Sequence, residues 1–159
     1  MLKKCLLLTV SGLSLLACQK TDEENDVAPA AVVAAFNAEF SLHYQQAARL
    51  PAATQPELTV EVTDLDYFFC PKDVLCCFVT SFVAPTLSVT DAQGRVQQVK
   101  LTANASREYT PAWIDTTSVK ANGQRYVLYY TKWNTGSRRE QAGKKDVSVT
   151  LRVTKAAAN

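Results

Sequence analysis

Apolar and polar side chains alternate along most of the chain beyond residue 36, as they do in antiparallel strands with one buried face. The clearest run is 147–154, where four apolar residues alternate with four polar ones. Because the runs are short and no long helical period interrupts them, the pattern predicts a domain built of strands. The predicted strands are 39–44, 58–64, 86–90, 96–103, 116–121, 124–131 and 147–154.

Turn residues separate these predicted strands. Asn122 and Gly123 form a strong hairpin signal, because both central residues of such a two-residue turn need positive φ. Residues 91–94 end in Gly94 and join two further strands. We therefore predict an all-β fold, an antiparallel, immunoglobulin-like β-sandwich of seven or eight strands over 36–159, with a barrel as the alternative.

The N-terminus has the layout of a secretory signal peptide. Lys3 and Lys4 precede an uncharged apolar run that ends in Leu-Leu-Ala-Cys at 15–18. The run from Cys5 to Cys18 is 14 residues long, which is shorter than the roughly 20 residues of a membrane-spanning helix. Its ending resembles the lipobox of bacterial lipoproteins. The resemblance implies a signal helix over 1–17, cleavage before Cys18, and fatty acylation (palmitate) at Cys18 and at the new N-terminus.

A polar stretch follows the lipobox. Residues 19–26 hold four acids and one base, and the alanine-rich residues 27–35 show no one-face spacing. We therefore predict a flexible, lipidated tether over 18–35. The acidic run resembles the export signal of Bacteroidota lipoproteins that reach the outer leaflet. We expect a cell-envelope protein anchored in the outer membrane, with periplasmic and surface-facing orientations both open.

Length and charge limit the classes of partner. Cleavage leaves 142 of the 159 residues, which is enough for one domain with a substantial core. It also removes Lys3 and Lys4, so that 15 basic side chains balance 15 acidic ones. This balance gives no net attraction to nucleic acid, and we expect no nucleic-acid partner.

Apart from the acylated Cys18, the mature chain keeps three cysteines, and two of them should pair because an exported protein meets oxidising conditions. Cys70 and Cys76 are separated by five residues that begin with Pro71, and Cys77 follows directly. The segment resembles one in small, largely uncharacterised bacterial secreted proteins and lipoproteins, where a Cys-Pro loop closes on a second cysteine at this spacing. The resemblance implies a Cys70–Cys76 disulfide. Cys77 would then remain reduced and buried on the opposite face of the strand.

Groups suited to catalysis or metal binding are few. His43 is the single histidine, and no serine lies in a Gly-x-Ser-x-Gly turn. A metal site usually needs about four ligands. Asp64, Asp66 and Asp73 leave a calcium site as an alternative. We expect no catalytic residue, no metal and no cofactor.

Two features indicate a binding surface. Aromatic residues concentrate in the strand 124–131, with a tryptophan just beyond its end, and the loop 134–145 carries four cations against Glu140. Loops on a rigid scaffold commonly carry binding groups, and arginine suits carboxylate or sulfate. The ordinary alternative is that the rings belong to the core and the loop is merely solvated. The candidate binding residues are Trp133, Arg138, Arg139, Lys144 and Lys145.

These expectations combine into one functional prediction. We expect an envelope-anchored, non-catalytic binding or structural module whose partner is a polysaccharide or an envelope protein. A surface hydrolase of polymers and a loop-presenting protease inhibitor are the alternatives. A cleft with two carboxylates would favour the hydrolase, and a protruding rigid loop would favour the inhibitor.

Overall fold

The computed structural model describes residues 27–70, 81–102, 113–136 and 142–156. Within these ranges nine strands form two sheets, which confirms the predicted all-β sandwich. None of the described elements is a helix long and apolar enough to cross a bilayer. The strands are β1 (Val32–Val33), β2 (Glu39–His43), β3 (Ala47–Leu50), β4 (Leu58–Phe68), β5 (Phe82–Asp91), β6 (Val96–Lys100), β7 (Asp115–Ala121), β8 (Gln124–Asn134) and β9 (Ser148–Lys155).

Each sheet is mainly an antiparallel meander. The first sheet has the order β1-β3-β4-β5-β6, and the second has the order β2-β9-β8-β7. Strand β2 pairs with the last strand, β9, while β1 pairs with β3 in parallel. The sandwich therefore consists of two meanders, β3–β6 and β7–β9, with β2 added at the edge of the second beside β9. Immunoglobulin domains instead divide their strands into ABED and CFG sheets.

The core lies between the sheets and follows the predicted alternation. On β9, Val149, Leu151 and Val153 point inward and have no exposed surface. On the facing sheet, Val60 and Leu87 are equally buried. Each such side chain contributes about 1.5–3 kcal/mol relative to an exposed position. The two sheets are held together mainly by this apolar contact.

The first sheet contains two strands that the sequence pattern did not predict. Strand β3 is only four residues long and begins with two alanines, which have low strand propensity. Strand β1 lies in the stretch predicted as tether, where Val32 pairs with Ala48 and the neighbouring Ala34 is buried. Strand β1 covers one edge of the first sheet, and the sandwich therefore begins before residue 36.

Candidate functional site

Two β-bulges near the same end of the sandwich change which residues face the core. In β4, even-numbered residues point inward up to Val62, and the pairing with β5 shifts between Val62 and Asp64. In β8, the pairing with β9 shifts between Tyr130 and Lys132. Each shift adds one residue to the strand, so odd-numbered residues face inward beyond it.

The two shifts bring aromatic side chains from both sheets together. Tyr67 and Phe69 lie beyond the bulge in β4, and Trp133 lies beyond the bulge in β8. All three are half-buried and pack against the core. The ring centroids of Tyr67 and Phe69 are 5.1 Å apart, and those of Phe69 and Trp133 are 5.7 Å apart. This row crosses from one sheet to the other; together with the half-buried Tyr44 that follows β2, we call it the aromatic end.

Lys144 lies at the aromatic end, where its ammonium group is paired with the carboxylate of Asp64. It lies in a single 3-10 turn, Lys144–Asp146, just before β9. Its Nζ donates a hydrogen bond of 2.5 Å to Asp64 Oδ1 and lies 5.5 Å from the centre of the Tyr44 ring. The hydrogen bond to Asp64 raises the pKa of Lys144, and the same bond together with the Leu65 N–H lowers the pKa of Asp64. Both side chains are about half exposed, so solvent weakens the pair.

The remaining predicted site residues are placed as follows. Lys145 is exposed beside Lys144. Cys70 is half-buried directly after Phe69, and its N–H donates a hydrogen bond of 2.9 Å to Ser81 Oγ. The predicted residues that lie outside the described part of the chain include the signal peptide with Cys18, then Asp73, Cys76, Cys77, Arg138 and Arg139.

A polar network at the opposite end of the sandwich was missed by the sequence analysis. The Tyr126 hydroxyl donates to the Glu57 carboxylate, and Lys155 Nζ donates to its second oxygen at 2.7 Å. Phe36 covers this network, with its ring 5.9 Å from that of Tyr126 and 4.6 Å from Lys155 Nζ. The Gln124 amide also bonds to Glu57. These partners come from separate parts of the chain, so no local motif could have identified them.

Electrostatics in this network favour an ionised glutamate. Burial alone raises the pKa of Glu57, but the hydrogen bonds from Lys155 and Tyr126 outweigh it, and the pKa is lowered overall. Burial and the negative neighbour raise the pKa of Tyr126, which keeps its hydroxyl as a donor. The network therefore provides a hydrogen-bond partner for the hydroxyl of the buried Tyr126 at this end of the core.

A second aromatic contact lies on the outer face of the second sheet. Tyr129 points away from the core, opposite to its buried neighbour Tyr130, as the alternation predicted. The Arg152 guanidinium lies 4.7 Å from the centre of the Tyr129 ring, and the Trp113 ring meets that ring edge-on at 5.3 Å. This contact stabilises the outer face by a cation–π interaction.

Among the residues that the structure describes, no group of three or more histidine, cysteine or acidic side chains is arranged to hold a metal ion. His43 is exposed at the end of β2, opposite Ser148 of β9. Comparison with family models, with curated proteins and with solved structures gives no match for this chain.

Proposed function

We propose that this chain is a lipid-anchored envelope protein whose sandwich binds a polysaccharide at the aromatic end. The proposed role is non-catalytic. The observation that supports it is the row of half-buried rings, Tyr67, Phe69 and Trp133, which bridges the two sheets. The connections β4–β5 and β8–β9 also leave the sandwich at this end.

The partial burial of the rings suits them to sugar. A ring that packs on the core with one side is held in a fixed position, and its remaining surface can lie against the apolar face of a pyranose. Because two β-bulges and the core fix these rings, little conformational entropy is lost on binding. A polysaccharide with several sugar units would engage the row along its length.

Polar groups beside the rings would supply orientation. The Asp64–Lys144 pair is about half exposed and offers both a donor and an acceptor for sugar hydroxyls. Lys145 is exposed next to it. Arg138 and Arg139, which the sequence predicts as binding residues, would each donate two parallel N–H hydrogen bonds to the carboxylate or sulfate of an acidic sugar.

The anchor is a separate part of the proposal and rests on the lipobox at 15–18. Two or three acyl chains on one cysteine hold a protein durably in a membrane, whereas one chain is marginal. Cys18→Ala should abolish incorporation of labelled fatty acid and release the protein from the membrane fraction. Absence of label on the wild-type chain would refute lipidation while leaving the binding proposal open to its own test.

Binding is tested with the full-length protein in non-ionic detergent on immobilised neutral and acidic polysaccharides. Trp133→Leu should weaken retention about tenfold or more, because leucine keeps an apolar side chain but removes the ring face. Phe36→Leu is the matched control, since Phe36 is also half-buried against the core but lies at the opposite end. Thermal melting checks that both variants are folded at the assay temperature. Equal retention of wild type and Trp133→Leu, or retention of neither on any of the polysaccharides, would overturn the proposal.

A further inference from the structure

A shallow pocket of about 330 Å³ lies at the end of the sandwich opposite the aromatic end. It forms where the β5–β6 turn meets the β7–β8 hairpin, and we call it the basic pocket. Three of its lining side chains are cations and none is acidic. Its lining residues are Arg95, Lys120, Ala121, Gly123, Gln124 and Arg125.

Two of these cations are placed against each other by the strand register. Lys120 of β7 lies directly opposite Arg125 of β8, and both are exposed. Like charges in directly opposed positions of an antiparallel pair destabilise the sheet. Within the described part of the chain neither residue has a carboxylate within salt-bridge distance, whereas Lys100, Lys132 and Lys155 all have one. The strand register therefore keeps a like-charge pair for which the described residues provide no carboxylate within salt-bridge distance.

The third cation is held in a fixed position. Arg95 Nε donates a hydrogen bond of 2.7 Å to Asp91 Oδ2, and Nη2 donates to Gln93 Oε1 at 3.2 Å. The Asp91 side chain is almost fully buried, while that of Arg95 is 67% exposed. A guanidinium has five N–H donors, so Arg95 retains donors for a ligand after making both of these bonds.

The walls of the pocket are also joined to each other. Asn122 Oδ1 accepts a hydrogen bond of 3.1 Å from the Ala92 N–H, which links the two turns. Gln97 Nε2 donates to the Lys120 carbonyl at 2.7 Å, which links the edge strands of the two sheets. Gly123 has positive φ and no neighbouring atom within 4 Å of where a Cβ would lie, so the space above it is open. The cations are therefore arranged around open space before any ligand binds.

We infer that the basic pocket binds the phosphate or sulfate monoester group of a small saccharide. A tetrahedral oxyanion presents several oxygens to converging donors, and charge-assisted hydrogen bonds from Lys120 and Arg125 would remove their mutual repulsion. The volume exceeds that of a bare anion and falls at the lower end of the range for small-molecule sites. This site is independent of the aromatic end and does not rest on the polysaccharide proposal.

The test is calorimetric titration of the full-length protein in non-ionic detergent at low, constant ionic strength. The probes are inorganic phosphate, inorganic sulfate, glucose 6-phosphate and N-acetylglucosamine 6-sulfate, with sodium chloride as the reference. We expect saturable binding of a sugar ester that is tighter than binding of the corresponding free anion. The double variant Lys120→Gln, Arg125→Gln should weaken it at least tenfold, because each charge-assisted contact contributes about one order of magnitude.

Stability measurements separate binding from folding. Without ligand, the double variant should melt at or above the temperature of the wild type, because the like-charge pair is gone. Lys132→Gln removes an exposed cation elsewhere on β8 and is the matched control, which should bind as the wild type does. Failure of all four anions to bind would overturn the inference. Equal binding by wild type and double variant would do so too.

Discussion

The Tyr130 hydroxyl donates a hydrogen bond of 2.9 Å to the Val83 carbonyl on the facing sheet. Neither residue has any exposed surface. Burial raises the pKa of Tyr130 far above the usual tyrosine range, so the hydroxyl remains a donor at neutral and moderately alkaline pH. This bond joins β8 to β5 through the core, next to the bulge that turns Trp133 inward.

Removing this hydroxyl should destabilise the fold without altering its shape. Tyr130→Phe should lower the free energy of unfolding by about 1 kcal/mol, because a buried hydrogen bond is lost while the ring still fills the core. Tyr129→Phe is the control, since its hydroxyl lies on the outer face and its ring keeps the contact with Arg152. Urea unfolding of both variants measures the difference. Equal stability of the two variants would show that the Tyr130–Val83 bond adds nothing.

Much of the fold follows from local sequence pattern. The period of two predicts β9, and the hairpin at Asn122 and Gly123 has positive φ at both residues, as its turn requires. Strand β3 was not predicted because alanine has a low strand propensity. Strand β1 was not predicted because two residues are too few to show an alternating pattern. Their pairing is set by the edge of the first sheet, which is a property of the tertiary structure.

The candidate site was predictable only in part. Trp133 was predicted as a binding residue because its side chain is a large aromatic ring. Its position next to Phe69 depends on one bulge in β4 and one in β8, and each bulge changes which residues of its strand face the core. In β4 the change shows in the burial pattern, since the inward residues are even-numbered up to Val62 and the next inward residue is Leu65. The partner of Lys144, Asp64, lies 80 residues away, and no spacing rule connects them.

The bulge in β8 gives a direct test of how Trp133 is placed. Thr131 is the residue at which the register shifts, and its Oγ1 donates to the Thr150 carbonyl at 3.3 Å. Deleting Thr131 should remove the bulge and leave Trp133 two residues after the inward Tyr130, so that it still faces the core. Deleting Thr131 and Lys132 together should place Trp133 directly after Tyr130 and turn it to the outer face. In a Trp113→Phe background, the tryptophan emission of the double deletion should move to longer wavelength and its melting temperature should fall, whereas the single deletion should leave the emission unchanged. An unshifted spectrum after the double deletion would contradict this account of how Trp133 is placed.

Asp91 makes the turn at the basic pocket sensitive to acid. Burial alone raises the pKa of Asp91, but hydrogen bonds from the Arg95 N–H, the Arg95 side chain and the Gln93 N–H outweigh it and lower the pKa. The unfolded-state pKa of aspartate is about 3.9. A lowered folded pKa means that the ionised carboxylate stabilises the protein above that pH, and that this stabilisation is lost as pH falls through the folded value.

The corresponding variant is Asp91→Asn. It should melt below the wild type near neutral pH, and the gap should close as pH falls below about 4. Asp66→Asn is the control, since its side chain is 63% exposed and lies 3.8 Å from Lys100. That control should change the melting temperature little at any pH. A gap between Asp91→Asn and wild type that stays constant down to about pH 2 would show that Asp91 does not titrate as argued.

The predicted Cys70–Cys76 disulfide would close a short loop beside the aromatic end. The two ends of the β4–β5 connection lie close together, because Phe68 pairs with Phe82 and the Cys70 N–H donates a hydrogen bond to Ser81. A bridge within so short a loop should stabilise the fold by about 2 kcal/mol on the chain-entropy model. Peptide mapping of exported protein without reductant should therefore recover residues 70 and 76 in one linked fragment.

Variants of the three cysteines complete this test. The double variant Cys70→Ser, Cys76→Ser should lose roughly the stability that the bridge contributes, about 2 kcal/mol. Cys77→Ser leaves the bridge intact and should retain that contribution, so the two variants differ under oxidising conditions. Addition of reductant should lower the stability of Cys77→Ser and leave the double variant unchanged. A Cys70–Cys77 linkage in the map, or three reduced thiols in exported protein, would show that the pairing is wrong.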